Sequence, residues 1–201
     1  MKTLILLSSI LGDASLSGNL ARHAVARLQA SDPGASITVR DLAADAIPYF
    51  DAHAAGALFT PAEARDESQR AVVALSDTLI QELFDADRIV ITVPVYNFGI
   101  PAQLKSYLDY VARAGVTFRY NADGTPQGLI TGKRVVVIVS RGGLAQGTPV
   151  DSITPYLQTM LGFLGMTDIE IVAAEGVKMG EAALNRALDQ ARSDLDTLLA
   201  A

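Results

Sequence analysis

The chain contains no cysteine. That excludes disulfides, iron–sulfur clusters, thiolate zinc sites and a cysteine nucleophile, and it is compatible with a cytoplasmic protein. Histidine is nearly absent too: His23 falls in the middle of a helix pattern and His53 among alanines. Neither belongs to an H-x-x-x-H or H-E-x-x-H metal spacing, and no G-x-S-x-G nucleophile turn occurs. Basic clusters are missing: 16 Lys and Arg face 22 Asp and Glu, for a net charge of −6. This argues against nucleic acid as a partner, since phosphate backbones demand clustered cations. No apolar run approaches the roughly 18 residues of a membrane span, so no membrane partner is expected. The opening MKTLILLSS carries too short an apolar core for a signal peptide and reads instead as a first buried strand. Nucleotide fingerprints are lacking as well. No G-x-G-x-x-G follows the first strand, and Gly128 stands one residue too close to Gly132-Lys133 for a Walker loop, with Arg134 in place of its Ser or Thr.

What remains is apolar and periodic. Half of the 201 residues are hydrophobic, ample for a layered core and high enough to suggest a buried interface between copies. Strand patterns at Thr3–Ser8, Ile37–Leu42, Ile89–Val93, Arg134–Ser140 and Ile169–Ala174 alternate with helix patterns. The helices are expected at Leu16–Ala30, Ser68–Phe84, Ala102–Ala112, Pro149–Leu164 and Glu181–Leu199. Strict alternation predicts an α/β fold with a doubly wound, five-stranded parallel sheet and helices on both faces. The economical strand order is the flavodoxin-like 2-1-3-4-5, with residues 1–201 as a single domain. Two segments interrupt the rhythm. Ala43–Glu67, rich in Pro, Phe and Tyr, is long for a connection and predicts a short helix, lid or interface arm. Val116–Ile130 holds an Asp123-Gly124 turn between short apolar runs and predicts a β-hairpin.

Open parallel sheets bind ligands where strands end and helices begin. Three such loops carry suitable chemistry. After the first strand, Ser9, Ser15 and Ser17 surround a helix start, an anion site suited to one terminal phosphate such as that of FMN. Either Ser15 or Ser17 could instead simply cap the helix. After the third strand, Pro94 and Pro101 flank Val95-Tyr96-Asn97-Phe98-Gly99-Ile100, two aromatic rings and an amide able to hold a flat, polar-edged ring such as a flavin. After the fourth, Ser140-Arg141-Gly142-Gly143 lets backbone N–H groups approach a ligand closely, where charge develops when a flavin is reduced. An ordinary glycine turn is the alternative. Lys105 and Asp109, four apart on a helix, read as a solvated ion pair.

Val95–Phe98, Arg113–Tyr120 (RAGVTFRY) and Ser140–Gly143 resemble the FMN-dependent NADH-azoreductases, also described as NADH:quinone oxidoreductases. Thr154–Leu157 and Leu161–Gly165 extend the likeness through the chain. The resemblance implies a flavodoxin-like homodimer with noncovalent FMN. It implies Ser9, Ser15, Leu16 and Ser17 near the phosphate, and Val95, Tyr96, Asn97, Phe98, Ser140, Arg141, Gly142 and Gly143 around the ring. The implied reaction is ping-pong, two-electron hydride transfer from NADH or NADPH through flavin N5 to a quinone or an azo compound, with no side chain acting as an obligatory acid or base. Phe59, Phe118, Tyr120 and Phe163 are candidates to wall the acceptor site, some from a second subunit. Arg65, Arg119 and Arg141 are candidates for a 2′-phosphate. The alternatives are a flavodoxin-type electron carrier without small-molecule turnover and an idle nucleotide-binding module.

Overall fold

The computed structural model describes residues 1–200. Five parallel strands form the main sheet: β1 (Lys2–Leu7), β2 (Ser36–Asp41), β3 (Arg88–Pro94), β6 (Arg134–Ser140) and β7 (Asp168–Ala174). Their order is β2-β1-β3-β6-β7, the expected 2-1-3-4-5 once the hairpin strands β4 (Phe118–Tyr120) and β5 (Pro126–Gly128) are set aside. The helices are α1 (Leu16–Ser31), α2 (Ala52–Phe59), α3 (Glu67–Asp85), α4 (Ala102–Val111), α5 (Ile153–Leu164) and α6 (Glu181–Leu199). Among the described residues no helix is long and apolar enough to cross a membrane.

The continuous apolar runs arise because each central strand is covered on both faces. Leu4, Leu6, Ile89, Ile91, Val135 and Val137 share a core with Leu79 and Leu83 of α3, Leu104 and Leu108 of α4, and Leu157 of α5. Their neighbours along the strands, Ile5, Val90, Val136 and Ile138, point the other way, against Leu20 and Leu28 of α1 and Leu195 of α6. All of β3 is buried. At the C-terminal edge of the sheet β3 and β6 end in register, Pro94 beside Ser140, so the loops that follow them are neighbours.

Boundaries follow local chemistry. α3 starts in a capping box in which Asp66 accepts the Gln69 amide and the Gln69 side chain accepts the Asp66 amide. α5 begins at Ile153, later than the expected Pro149, because the Asp151 carboxylate accepts the amides of Ile153 and Thr154, each at 3.2 Å. Ala43–Glu67 contains α2, capped by Asp51 on the Ala54 amide at 2.8 Å. Val116–Ile130 is the predicted hairpin, β4 antiparallel to β5. It crosses the end of α5 so closely that a Cβ on Gly128 would lie 2.1 Å from the backbone nitrogen of Gly165. Only glycine permits that approach.

Candidate functional site

β1 ends in a serine-rich loop whose side chains are already engaged. The Ser9 hydroxyl accepts the Leu11 amide at 3.2 Å and lies 3.2 Å from the Tyr96 hydroxyl, joining the first loop to the third. Ser15 caps α1, accepting the Gly18 amide at 3.0 Å, with the Ser17 hydroxyl 3.3 Å away. Capping uses one amide of the first turn and leaves others. Among the described residues the N–H groups of Leu16 and Ser17 have no acceptor. Ser15 therefore acts as the cap, and the Leu16 amide beside it is left without an acceptor.

The third loop is a tight turn. Tyr96 and Gly99 exchange backbone hydrogen bonds of 3.1 and 2.9 Å, and between them Asn97 and Phe98 adopt φ of 49° and 65°. These are the left-handed angles of a type I′ turn, common for Asn and costly for Phe. The Ser152 hydroxyl donates to the Phe98 carbonyl, pinning the turn to the start of α5. The ring of Phe98 is 77% exposed, and the amides of Asn97 and Phe98 find no acceptor among the described residues.

The fourth loop is held by charge. The Arg141 guanidinium is buried, and its Nη1 and Nη2 donate to Asp151 Oδ1 at 3.2 and 3.1 Å. Its Nε stands 3.2 Å from Glu175 Oε1, and Glu175 accepts the amides of Ala145 and Gln146 at 3.0 and 2.8 Å. Burial alone raises the Asp151 pKa; hydrogen bonds from Thr154 and the Arg141 charge outweigh it and bring the carboxyl to about 2. The Arg141 guanidinium is thus already engaged by two carboxylates. Gly142 and Gly143 offer amides without acceptors among the described residues, and a Cβ on Gly143 would meet open space.

These loops surround two adjoining clefts. One, of ≈ 550 Å³, is lined by Ser9, Ser15, Leu16, Tyr96 and Ser140. The other, of ≈ 240 Å³, is lined by Asn97, Phe98 and Gly143, and both share Val95, Arg141 and Gly142. Eleven of the twelve positions expected to contact a cofactor line one cleft or the other; Ser17, fully buried, stands behind the wall. The donor set fits FMN: hydroxyl and unpaired amides at a helix start for a phosphate, and further amides beside a ring-sized cleft. The acceptor-site candidates do not line these clefts within the same chain. Phe59, 82% exposed, lies with Phe50, Leu58 and Ala112–Ala114 at a separate ≈ 280 Å³ cleft. Phe118 meets Tyr120 edge-on at a centroid distance of 5.7 Å and Phe163 at a tilt at 4.4 Å, joining the hairpin to α5. Of the other arginine candidates, Arg65 donates to the Thr60 carbonyl and Arg119 to Gln127, each at 2.9 Å.

Sequence reasoning missed the loop after β7. Val177, Lys178 and Leu184 also line the larger cleft, and the Gly176, Val177 and Lys178 amides strap this loop to the carbonyls of Gly143, Arg141 and Gly142. Strand order alone could have found it, because β7 lies beside β6.

Residues 1–199 match the family described as having a flavodoxin-like fold. The FMN-dependent NADH:quinone oxidoreductase of Bordetella avium is 63% identical over 99% of this chain and 98% of its own. That of Bordetella bronchiseptica is 61% identical over 98% of this chain and 95% of its own. Among solved structures, an FMN-dependent NADH-azoreductase from Bacillus anthracis in complex with FMN superposes with a TM-score of 0.89 at 26% identity, covering 99% of this chain and 97% of that one. With loops, fold and relatives in agreement, the chain belongs to the FMN-dependent NADH:quinone oxidoreductase family of flavodoxin-like proteins.

Proposed function

We propose that this chain is an FMN-dependent enzyme that oxidises NADH and reduces quinones by two electrons, holding the cofactor in the cleft over the ends of β1, β3 and β6. The observation that carries the placement is that residues with unpartnered backbone amides, Leu16, Asn97, Phe98, Gly142 and Gly143, line the two adjoining clefts. Bound FMN supplies a two-electron carrier, taking hydride from NADH and returning it to the acceptor. The protein's part is binding, orientation and electrostatics. The first turn of α1, with the Ser15 hydroxyl, holds the terminal phosphate without needing a dedicated cation. The Gly142 and Gly143 amides would serve the polar edge of the ring, where negative charge gathers on reduction. Phe98, exposed at its strained turn, would supply an apolar contact for the ring. No acid–base side chain is required. The same open face serves azo acceptors, as the name of the Bacillus anthracis neighbour suggests for that protein.

The acceptor site is completed by a second copy of the chain. Phe59 and Tyr120 are 82% and 63% exposed and lie away from the cofactor cleft of their own chain, available to wall that of a partner. Stable obligate interfaces bury about 2,000 Å² or more. Light scattering should give a homodimer at micromolar concentration; a monomer reducing quinone at full specific rate would remove the partner from the account. Initial rates over a grid of NADH and benzoquinone should give parallel double-reciprocal lines, whereas an electron carrier would show no steady turnover.

Leu16→Pro tests the cleft directly. Leu16 is the first residue of α1, where proline is tolerated, and Ser15 before it already has φ −70° and ψ 124°. The substitution deletes one N–H and spares the helix. FMN affinity should fall at least tenfold by fluorescence titration; unchanged affinity would place the phosphate elsewhere.

A further inference from the structure

The charges of the fourth loop do more than fill the interior. Arg141 bridges three segments: its own loop after β6, the start of α5 through Asp151, and the loop after β7 through Glu175. Glu175 reaches past Arg141 to the amides of Ala145 and Gln146, and Asp151 to those of Ile153 and Thr154. Arg141 immediately precedes Gly142 and Gly143, and the residues it binds follow them in the chain. The same two glycines line the clefts with unpartnered amides, and a Cβ on Gly143 would meet open space. The carbonyls of Arg141, Gly142 and Gly143 are tied to the loop after β7, so the strap fixes which way the peptide planes turn. The Arg141, Asp151 and Glu175 side chains are 7%, 5% and 16% exposed, so water competes weakly for them.

We propose that Asp151 and Glu175 are positioning residues that act through Arg141 to hold the Gly142 and Gly143 amides toward the polar edge of bound FMN, and so favour its reduction. The proposal deepens the functional reading above and rests on it. Fixed donors aimed where charge develops stabilise that charge without reorganising, whereas a loosened loop must reorder first. The lock should therefore matter more to reduced than to oxidised cofactor. A bare electrostatic effect has the opposite sign: two carboxylates against one guanidinium leave net negative charge near the ring, and neutralising one would ease reduction.

Asp151→Asn and Glu175→Gln separate these cases. Asn still caps α5 and Gln still accepts the Ala145 and Gln146 amides, so each removes a charge and keeps the local acceptor. In both variants FMN should bind at least tenfold more weakly. The two-electron midpoint potential of the FMN that remains bound should fall by about 30 mV, equivalent to a tenfold selective loss of affinity for the reduced form. Apo-protein melting is measured alongside; a fall in melting temperature with affinity and potential unchanged means that the lock serves stability alone, and overturns the inference. A rise in potential overturns it too, in favour of the bare charge effect. If one variant does not fold, the other decides. A weakened Leu16→Pro protein beside unaffected lock variants leaves the cleft assignment standing and ends the positioning role. A Leu16→Pro protein that binds FMN as the parent does removes the cofactor from this cleft, and the lock's role with it.

Discussion

Two arginines, equally hidden from solvent, stand at opposite ends of the sheet: Arg88 opens β3 at 2% exposure and Arg141 follows β6 at 7%. Arg141 is enclosed by Asp151 and Glu175. Arg88 has the Arg134 backbone position beside it in register, and its Nε and Nη1 lack hydrogen-bond partners, as does the neighbouring Thr3 hydroxyl. Burial, with repulsion from Arg134, lowers the Arg88 pKa. The comparison separates two ways of leaving donors unsatisfied. At the loop end the guanidinium is ion-paired, with Nε short of a hydrogen bond but 3.2 Å from a Glu175 oxygen, and the other open donors are backbone amides of residues lining a cleft, where a ligand can answer them. At the other end the open donors belong to a buried side chain with no carboxylate paired to it among the described residues, and they weigh against stability.

The comparison predicts opposite signs for similar substitutions. Arg141→Met leaves two buried carboxylates without a counter-charge and should destabilise by about 3–5 kcal/mol in urea unfolding, with FMN binding lost. Arg88→Met should do the reverse, raising stability by about 1–3 kcal/mol, because an unsatisfied buried charge gives way to an apolar chain. Its FMN affinity should equal the parent's. Equal losses at both positions would show that burial alone, and not pairing, sets the cost.

Within the loop end, Phe98→Gly probes the strained turn. The left-handed angle costs a bulky residue about 1–2 kcal/mol, of which glycine's extra chain entropy returns about 0.5–1 kcal/mol. A net gain of about 0.5–1 kcal/mol in apo stability, with weaker FMN binding, would show strain retained for the site. A loss of stability would mean the turn is not strained.

The effect that appears only in acid concerns Asp151. Its folded pKa of about 2 lies below the value of roughly 3.9 expected in an unfolded chain. Its contribution is therefore complete above about pH 4 and is lost as pH falls toward 2. Unfolding free energy measured from pH 6 to 2 should drop less steeply for Asp151→Asn than for the parent; parallel curves would remove Asp151 from the acid transition.

The same contrast marks what was legible in the sequence. β6 and α6 fall on their expected bounds because a run such as RVVVIVS leaves no other reading and an apolar stripe repeats across the helix. α5 starts at Ile153, four residues after the expected Pro149, although Asp151 reads as a start signal in the sequence: its carboxylate does meet the first amides, and only the fold shows that the helix begins after it and not before it. Three site loops were legible because each follows a strand and carries serine, aromatic or paired glycine residues. The fourth, Glu175–Lys178, carries no such mark, and only the adjacency of β6 and β7 brings it to the cleft. Arg141 illustrates the limit of residue type as a guide: a guanidinium beside two glycines suggests a ligand contact, yet its partners Asp151 and Glu175 meet it only through the fold.

The central claim is that FMN is received by backbone amides at the C-terminal edge of the sheet. Amide chemical shifts recorded by NMR on isotope-labelled protein, before and after one equivalent of FMN, test it most directly. The account predicts the largest shifts at Leu16, Ser17, Asn97, Phe98, Gly142 and Gly143, with Thr3 and Arg88 at the far end unmoved. Shifts centred instead on Phe50, Leu58 and Arg113, around the cleft beside α2, would contradict it.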